Sequence, residues 1–242
     1  MSTAVMMAES SPRFRARIAG VLYLVVFFAA PFAEFFARNK LVVYSDAAAT
    51  VNNILAHQSL FRWGFVAQII TLACDASVAL IFYELLKPVS RILSLFAAVS
   101  RLIFVAIMAA NLLNYFAPLA LMGGTQFKTD QLQAMVLASQ TLYASGYGIA
   151  MLFFGFHCLF IGYLIFRSAF LLRVLGPLLA IAGLCYITNS LANFLAPAFA
   201  AHLFPYIMFP AVSELFLMLW LLVMGANVPR WNEQARAAGM LA

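Results

Sequence analysis

Apolar runs recur six times along the chain, near residues 17–37, 61–86, 91–116, 144–166, 173–195 and 206–226. At 1.5 Å per residue, about 20 apolar residues suffice to cross a hydrocarbon layer roughly 30 Å thick, so each run predicts a spanning helix. Two connections, KPVSR at 87–91 and RSAFLLR at 167–173, are short. They predict that spans two and three, and four and five, form tight antiparallel hairpins. The connections on the other side are longer and carry a pattern of their own. Ser45 and Asp46 suit a helix cap, and Ala47, Ala48, Val51, Ile54 and Leu55 then recur at helical spacing beside Asn52, Asn53 and Gln58. Thr129 and Asp130 are followed in the same way by Leu132, Met135, Val136 and Leu142. Two amphipathic helices, about 46–58 and 130–142, are therefore expected on the outer surface, either as a lid or as plain interfacial connectors. The expected fold is an all-α polytopic membrane bundle, residues 1–242 forming one domain.

Composition agrees with this pattern. Of the 242 residues 66% are hydrophobic and 9% charged, against about 45–50% and about 25% in soluble domains. The net charge of +6 does not point to nucleic acid, because the basic residues punctuate the ends of the runs. With the amino terminus in the cytoplasm, Arg13, Arg15, Arg17, Lys87, Arg91, Arg167, Arg173, Arg230 and Arg236 fall inside. Arg38, Lys40, Arg62 and Lys128 fall outside, and Arg101 lies within a span. The positive-inside rule thus predicts a multi-pass membrane protein with both termini cytoplasmic. Ile18 to Phe36 exceeds the roughly 7–15 residues of a signal-peptide core, so it reads as a retained first span. Cys74, Cys158 and Cys185 all sit in apolar runs and read as small buried hydrophobes.

The ionisable residues inside the spans are the candidate chemistry, since each costs about 2.5–3.5 kcal/mol at mid-membrane on insertion scales. Gly64, Gln68, Thr71 and Asp75 share one face of span two, and Ser94, Ala97 and Arg101 share one face of span three. Asp75 and Arg101 lie equally far from the hairpin turn, so they are expected at one depth and able to pair. Such a pair either fixes hairpin register or forms a charged centre for an anionic or protonatable ligand. Glu214 follows Pro210 in span six, and Glu34 ends a stripe of Gly20, Tyr23, Phe27 and Ala30. Asn189 shares a face with Cys185 and Asn193, and Asn111 and Asn114 lie toward the outer end of span three. A polar cavity opening outward would use all of these, as would ordinary interhelical hydrogen bonding at about 0.6 kcal/mol per contact.

Span four carries FFGFHCLFIGYLIF, with His157 on the side away from a seam of Gly148, Gly155 and Gly162. His157 is either a neutral, hydrogen-bonded core histidine or a proton relay with Asp75 or Glu214. The seam suits close approach of an internal neighbour or of a second copy of the chain. Lys40, Lys87 and Lys128 lie at or beyond span ends, which excludes a mid-membrane Schiff base. His57 and His202 belong to the outer loops, so a bis-histidine haem has no second ligand at the depth of His157. There is no P-loop, and Cys74, Asp75, His157 and Cys158 lack diagnostic metal spacing. No cofactor is expected.

The segments ARIAGVLYL, SDAAATVNNILA, FYELLKPVSR, FGFHCLFIGYLIFRS, RVLGPLLAIAGLCYI and ELFLMLWLLVMGAN resemble, in that order, the recurring segments of a large bacterial family of integral membrane proteins. That family is known only as a domain of unknown function, the one numbered in the four thousands. The resemblance covers Arg17 to Asn227 and implies a six-span protein of the bacterial inner membrane with no assigned activity and no catalytic residues to carry over. From the residues themselves, the first expectation is a bundle that binds or moves a small amphiphilic or protonatable molecule through a polar pocket. Asp75, Arg101, His157, Asn189 and Glu214 would line it, with Glu34 and Asn111 as further candidates. The alternative is a non-catalytic structural or regulatory module in which the same residues hold the bundle together. A third reading, an intramembrane enzyme acting on a lipid or quinone, lacks a nucleophile with a base. Expected partners are membrane lipids, a small molecule and a second copy, with no nucleic acid.

Overall fold

The computed structural model describes residues 11–124, 127–203 and 208–241, and every regular element among them is helical. The helices are α1 (Pro12–Leu41), α2 (Ala47–Ala56), α3 (Gln58–Leu86), α4 (Arg91–Met122), α5 (Thr129–Arg167), α6 (Leu175–Leu195), α7 (Pro197–Leu203), α8 (Met208–Val223) and α9 (Val228–Ala237). Five of them, α1, α3, α4, α5 and α6, are long and apolar enough to cross a membrane. A sixth span is counted if the end of α8 and α9, bent by 101° to each other, are taken together. The expected start of that span at 206 and 207 lies outside the described residues.

Burial is inverted relative to a water-soluble protein. Leu113, Ile92 and Phe28 are 77%, 68% and 68% exposed, whereas Arg101 is fully buried. Apolar side chains outward and charged ones inward is the arrangement that hydrocarbon solvent selects.

Three differences from the expected elements have local causes. The segment 130–142 is not a separate surface helix: α5 runs through it unbroken for 39 residues, because no proline or glycine interrupts Thr129 to Ser145. Helix α1 continues past residue 37 to Leu41, so Arg38 is not an outer-loop residue but sits inside a π-helical segment, Phe32–Arg38. Pro31 immediately precedes that segment. Its ring nitrogen cannot donate to the Phe27 carbonyl four residues back, so the regular hydrogen-bond ladder is interrupted just before the wider turns begin. Beyond α8 the chain does not simply exit. Gly225 adopts φ +65°, a left-handed C-terminal stop suited to glycine, and α9 then folds back as an amphipathic helix capped by Asn227.

The expected cap at Asp46 is present, its carboxylate accepting from Ala49 N at 2.9 Å, and Ile54 is buried as the pattern of α2 requires.

The chain divides into two compact units, one comprising Met1–Leu24, Cys74–Phe104 and Met151–Ala242, the other Val25–Ala73 and Val105–Ala150. In the first unit the glycine seam of α5 is used by an internal neighbour. A Cβ on Gly155 would come within 2.9 Å of the Gly183 carbonyl, and one on Gly162 within 2.6 Å of the Gly176 carbonyl. Helices α5 and α6 therefore touch backbone to backbone at two points. The same unit holds α9 in place: Trp231 Nε1 donates to Leu85 O at 2.8 Å, and Gln234 Oε1 accepts from Ala169 N at 3.1 Å. In the second unit Phe61, Tyr115 and Tyr143 form the aromatic centre, Tyr115 lying 4.7 Å from Phe61 and 5.3 Å from Tyr143 between ring centroids.

Candidate functional site

Among the described residues each unit contains one buried arginine–carboxylate pair. In the first unit Ser94, Ala97, Arg101 and Phe104 follow one another at helical spacing on the buried face of α4, which carries the guanidinium inward. Arg101 Nε donates to Asp75 Oδ1 at 3.2 Å, and Arg101 Nη2 donates to the same oxygen. Arg101 Nη1 donates to the Tyr23 hydroxyl at 2.6 Å and to His157 Nε2 at 3.0 Å. The guanidinium carbon also lies 4.7 Å from the centre of the Tyr23 ring and 5.4 Å from that of Phe154, within cation–π range. Three helices besides α4 thus converge on one cation: α1 through Tyr23, α3 through Asp75 and α5 through His157.

The partners of His157 fix its tautomer. Its Nδ1 lies 2.8 Å from the Ala97 carbonyl, which can only accept, and its Nε2 faces Arg101, which can only donate. The ring is therefore neutral, with the proton on Nδ1. Both nitrogens are committed, and among the described residues no hydrogen bond joins His157 directly to Asp75 or Glu214.

Glu214 joins this centre through aromatic side chains. Its Oε1 accepts from the Tyr186 hydroxyl at 2.5 Å, the Tyr186 ring meets Phe154 edge to face at 5.5 Å, and Phe154 lies under Arg101. Glu214 and Tyr186 are half-buried. Tyr186, Asn189 and Asn193 follow at helical spacing on α6, Asn189 half-buried and Asn193 exposed, with the Asn193 amide donating to the Asn189 carbonyl at 2.8 Å. Of the three, only Asn193, the last along that face, is exposed. Among the described residues no hydrogen bond joins the Asn189 side chain to Arg101.

Glu34 and Asn111 belong to the second unit. Glu34 Oε1 accepts from Gln68 Nε2 at 2.6 Å and from the Tyr143 hydroxyl, while Oε2 accepts from Arg38 Nε at 3.1 Å. Arg38 also donates to the Tyr44 hydroxyl at 2.8 Å and to Asn39 Oδ1 at 2.7 Å, and stacks 4.7 Å from the Tyr143 ring centre. Asn111 Nδ2 donates to the Tyr143 carbonyl at 2.8 Å, tying α4 to α5. Gly146 makes room for that amide, since a Cβ there would lie 2.7 Å from it. The Gln140 amide donates to the Asn114 carbonyl at 3.0 Å, and its Oε1 is buried with no partner among the described residues.

Three members of these clusters carry weak sequence signals. Arg38 stands four residues after Glu34, the spacing of an intrahelical ion pair, but a span ending at 37 hides it. Tyr143 falls in the gap between two expected helices, and Tyr186 carries no charge to single it out.

The architecture and its charged interior define a multi-pass helical membrane protein whose two units each contain a buried, hydrogen-bonded ion pair. The chain belongs to the family described as a domain of unknown function, DUF4386, whose sequence profile matches residues 18–225. It is also similar to an uncharacterised protein of Archaeoglobus fulgidus, with 26% identity over 166 residues, 69% of this chain and 86% of that one. No solved structure matches.

Proposed function

We propose that this membrane protein binds a small protonatable, amphiphilic molecule at Glu214, with the Arg101 centre as a fixed floor beneath it. The observation that carries the reading is the contrast between the two polar groups of the first unit. Four hydrogen bonds from Arg101 end on Asp75, Tyr23 and His157, and the residue is fully buried. Glu214 is half-buried and bonded to Tyr186, on the α6 face that also carries half-buried Asn189 and exposed Asn193. A carboxylate in a spanning helix is costly unless a partner or water meets it, and an ammonium group on an apolar tail supplies both the charge and the hydrocarbon such a site accepts. Both termini lie in the cytoplasm of a bacterial inner membrane on this reading, the orientation being supported by the charge distribution, so this face of α6 opens on the outer side.

The test uses purified full-length protein in detergent with octylamine as probe and octanol as its uncharged counterpart. Octylamine is expected to raise the melting temperature by several degrees where octanol does not, and Glu214→Gln is expected to remove the difference. Equal shifts with the two probes, or a shift that survives Glu214→Gln, would overturn the proposal.

A second reading, a structural or regulatory membrane module without a ligand, is favoured by the closure of the Arg101 network itself. It predicts no probe-dependent shift at all.

A further inference from the structure

Helices α6 and α8 of the first unit leave a groove of about 460 Å³ along their outward face. Its walls are apolar: Leu175 and Leu178 on one side, Phe216, Leu219 and Val223 on the other. One lining residue breaks the pattern. Trp220 also lines the groove, and its Nε1–H is buried with no hydrogen-bond partner among the described residues. A buried donor left without an acceptor is costly, so a ligand carbonyl that reaches it would be held there.

One end of the groove is cationic. Leu172, Val174, Val223 and Met224 line that end. Arg173 stands exposed between the first two. Arg17, also exposed, donates to the Val223 carbonyl at 3.1 Å. Arg13 packs beside Gly225, where a Cβ would lie 3.0 Å from its Cγ. The acidic Glu84 of the same unit is engaged by Arg15 at 3.6 Å and by Lys87 at 2.5 Å.

We infer that this groove is a binding site for one anionic phospholipid: an acyl chain lies between α6 and α8, an ester carbonyl accepts from Trp220 Nε1, and the phosphate meets Arg17 and Arg173. On the proposed orientation the cationic end faces the cytoplasm, where anionic headgroups draw basic side chains to the membrane surface. Indole rings at that level are suited to one apolar face and one polar contact. The inference is independent of the Glu214 site.

The test measures tryptophan fluorescence of the full-length protein in detergent on addition of phosphatidylglycerol or phosphatidylcholine carrying brominated acyl chains. Stronger quenching by the brominated phosphatidylglycerol is expected, and Trp220→Phe should remove most of that excess. The pair Arg17→Gln and Arg173→Gln should bring the two lipids to equal quenching, whereas Arg17→Lys with Arg173→Lys should keep the preference, separating loss of charge from loss of fold. Equal quenching in the wild type, an excess unchanged by Trp220→Phe, or a preference that survives the glutamine pair would each overturn the inference. So would cross-linking that places a second copy of the chain in the groove.

Discussion

The side-chain amide of Gln140 donates at 3.0 Å to the backbone carbonyl of Asn114, the acceptor that Pro118, four residues later in α4, has no N–H to reach. A glutamine on one helix thus fills the hydrogen-bond gap that a proline opens in another. In hydrocarbon an unmet carbonyl is costly, so Gln140→Ala is expected to destabilise the protein by about 1–3 kcal/mol. Restoring the donor with Pro118→Ala should shrink that loss. Chemical denaturation of the two single variants and the double variant would reveal it; strictly additive losses would refute the link.

Asp75 and Arg101 form a pair that neither can leave. Asp75→Asn strands a buried guanidinium and should cost about 3–5 kcal/mol. The double variant Asp75→Asn with Arg101→Met removes the stranded charge and is expected to be more stable than Asp75→Asn alone. A double variant less stable than both singles would show that the pair is not the dominant interaction.

For His157 the partners dictate a spectroscopic result. In 15N-labelled protein at neutral pH the ring should give one pyrrole-type nitrogen, Nδ1, and one pyridine-type nitrogen, Nε2. The opposite assignment, or two protonated nitrogens, would contradict the contacts to Ala97 and Arg101.

Gly162→Ala places a methyl group 2.6 Å from the Gly176 carbonyl and 2.8 Å from Ala180 N. Both are backbone atoms, so the helices must part, and a loss of about 1–3 kcal/mol is expected. At Gly123 the nearest atom to an added Cβ is 3.6 Å away, an ordinary contact, and Gly123→Ala should change stability little. Thermal unfolding of the two variants side by side checks the contrast.

Trp231→Phe removes the hydrogen bond that ties α9 to the end of α3. Tryptic cleavage after Arg230 and Arg236 should accelerate severalfold while cleavage elsewhere is unchanged. A digestion pattern identical to wild type would mean the indole does not anchor the helix.

The features legible in the sequence were those set by helical periodicity and chain symmetry. Asp75 and Arg101 could be matched because a short hairpin places residues equally far from its turn at equal depth, and their contact follows. The glycine seam was legible because a seven-residue repeat returns to nearly the same side of a helix. What it packs against was not, because Gly176 and Gly183 lie on a partner helix whose rotation only packing decides. The burial of Arg38 was hidden because the apolar run ends at 37, whereas the helix continues through a π segment to Leu41. The neutrality of His157 depends on a carbonyl and a guanidinium from α4, contacts far apart in the chain. The fold-back of α9 follows from Gly225 and Trp231 together, and either alone carries little signal.

The paired glycines of α5 and α6 bear on how the gene can change length. Gly155 to Gly162 and Gly176 to Gly183 are equal steps run in opposite directions, so both contacts hold in one alignment of the two helices only. A codon inserted or lost between the members of either step would keep one contact and drive a side chain into the other. A change of length within 168–174, between the two helices, would leave both contacts intact. Among related genes, insertions and deletions should therefore gather in that connection and avoid the helical stretches on either side.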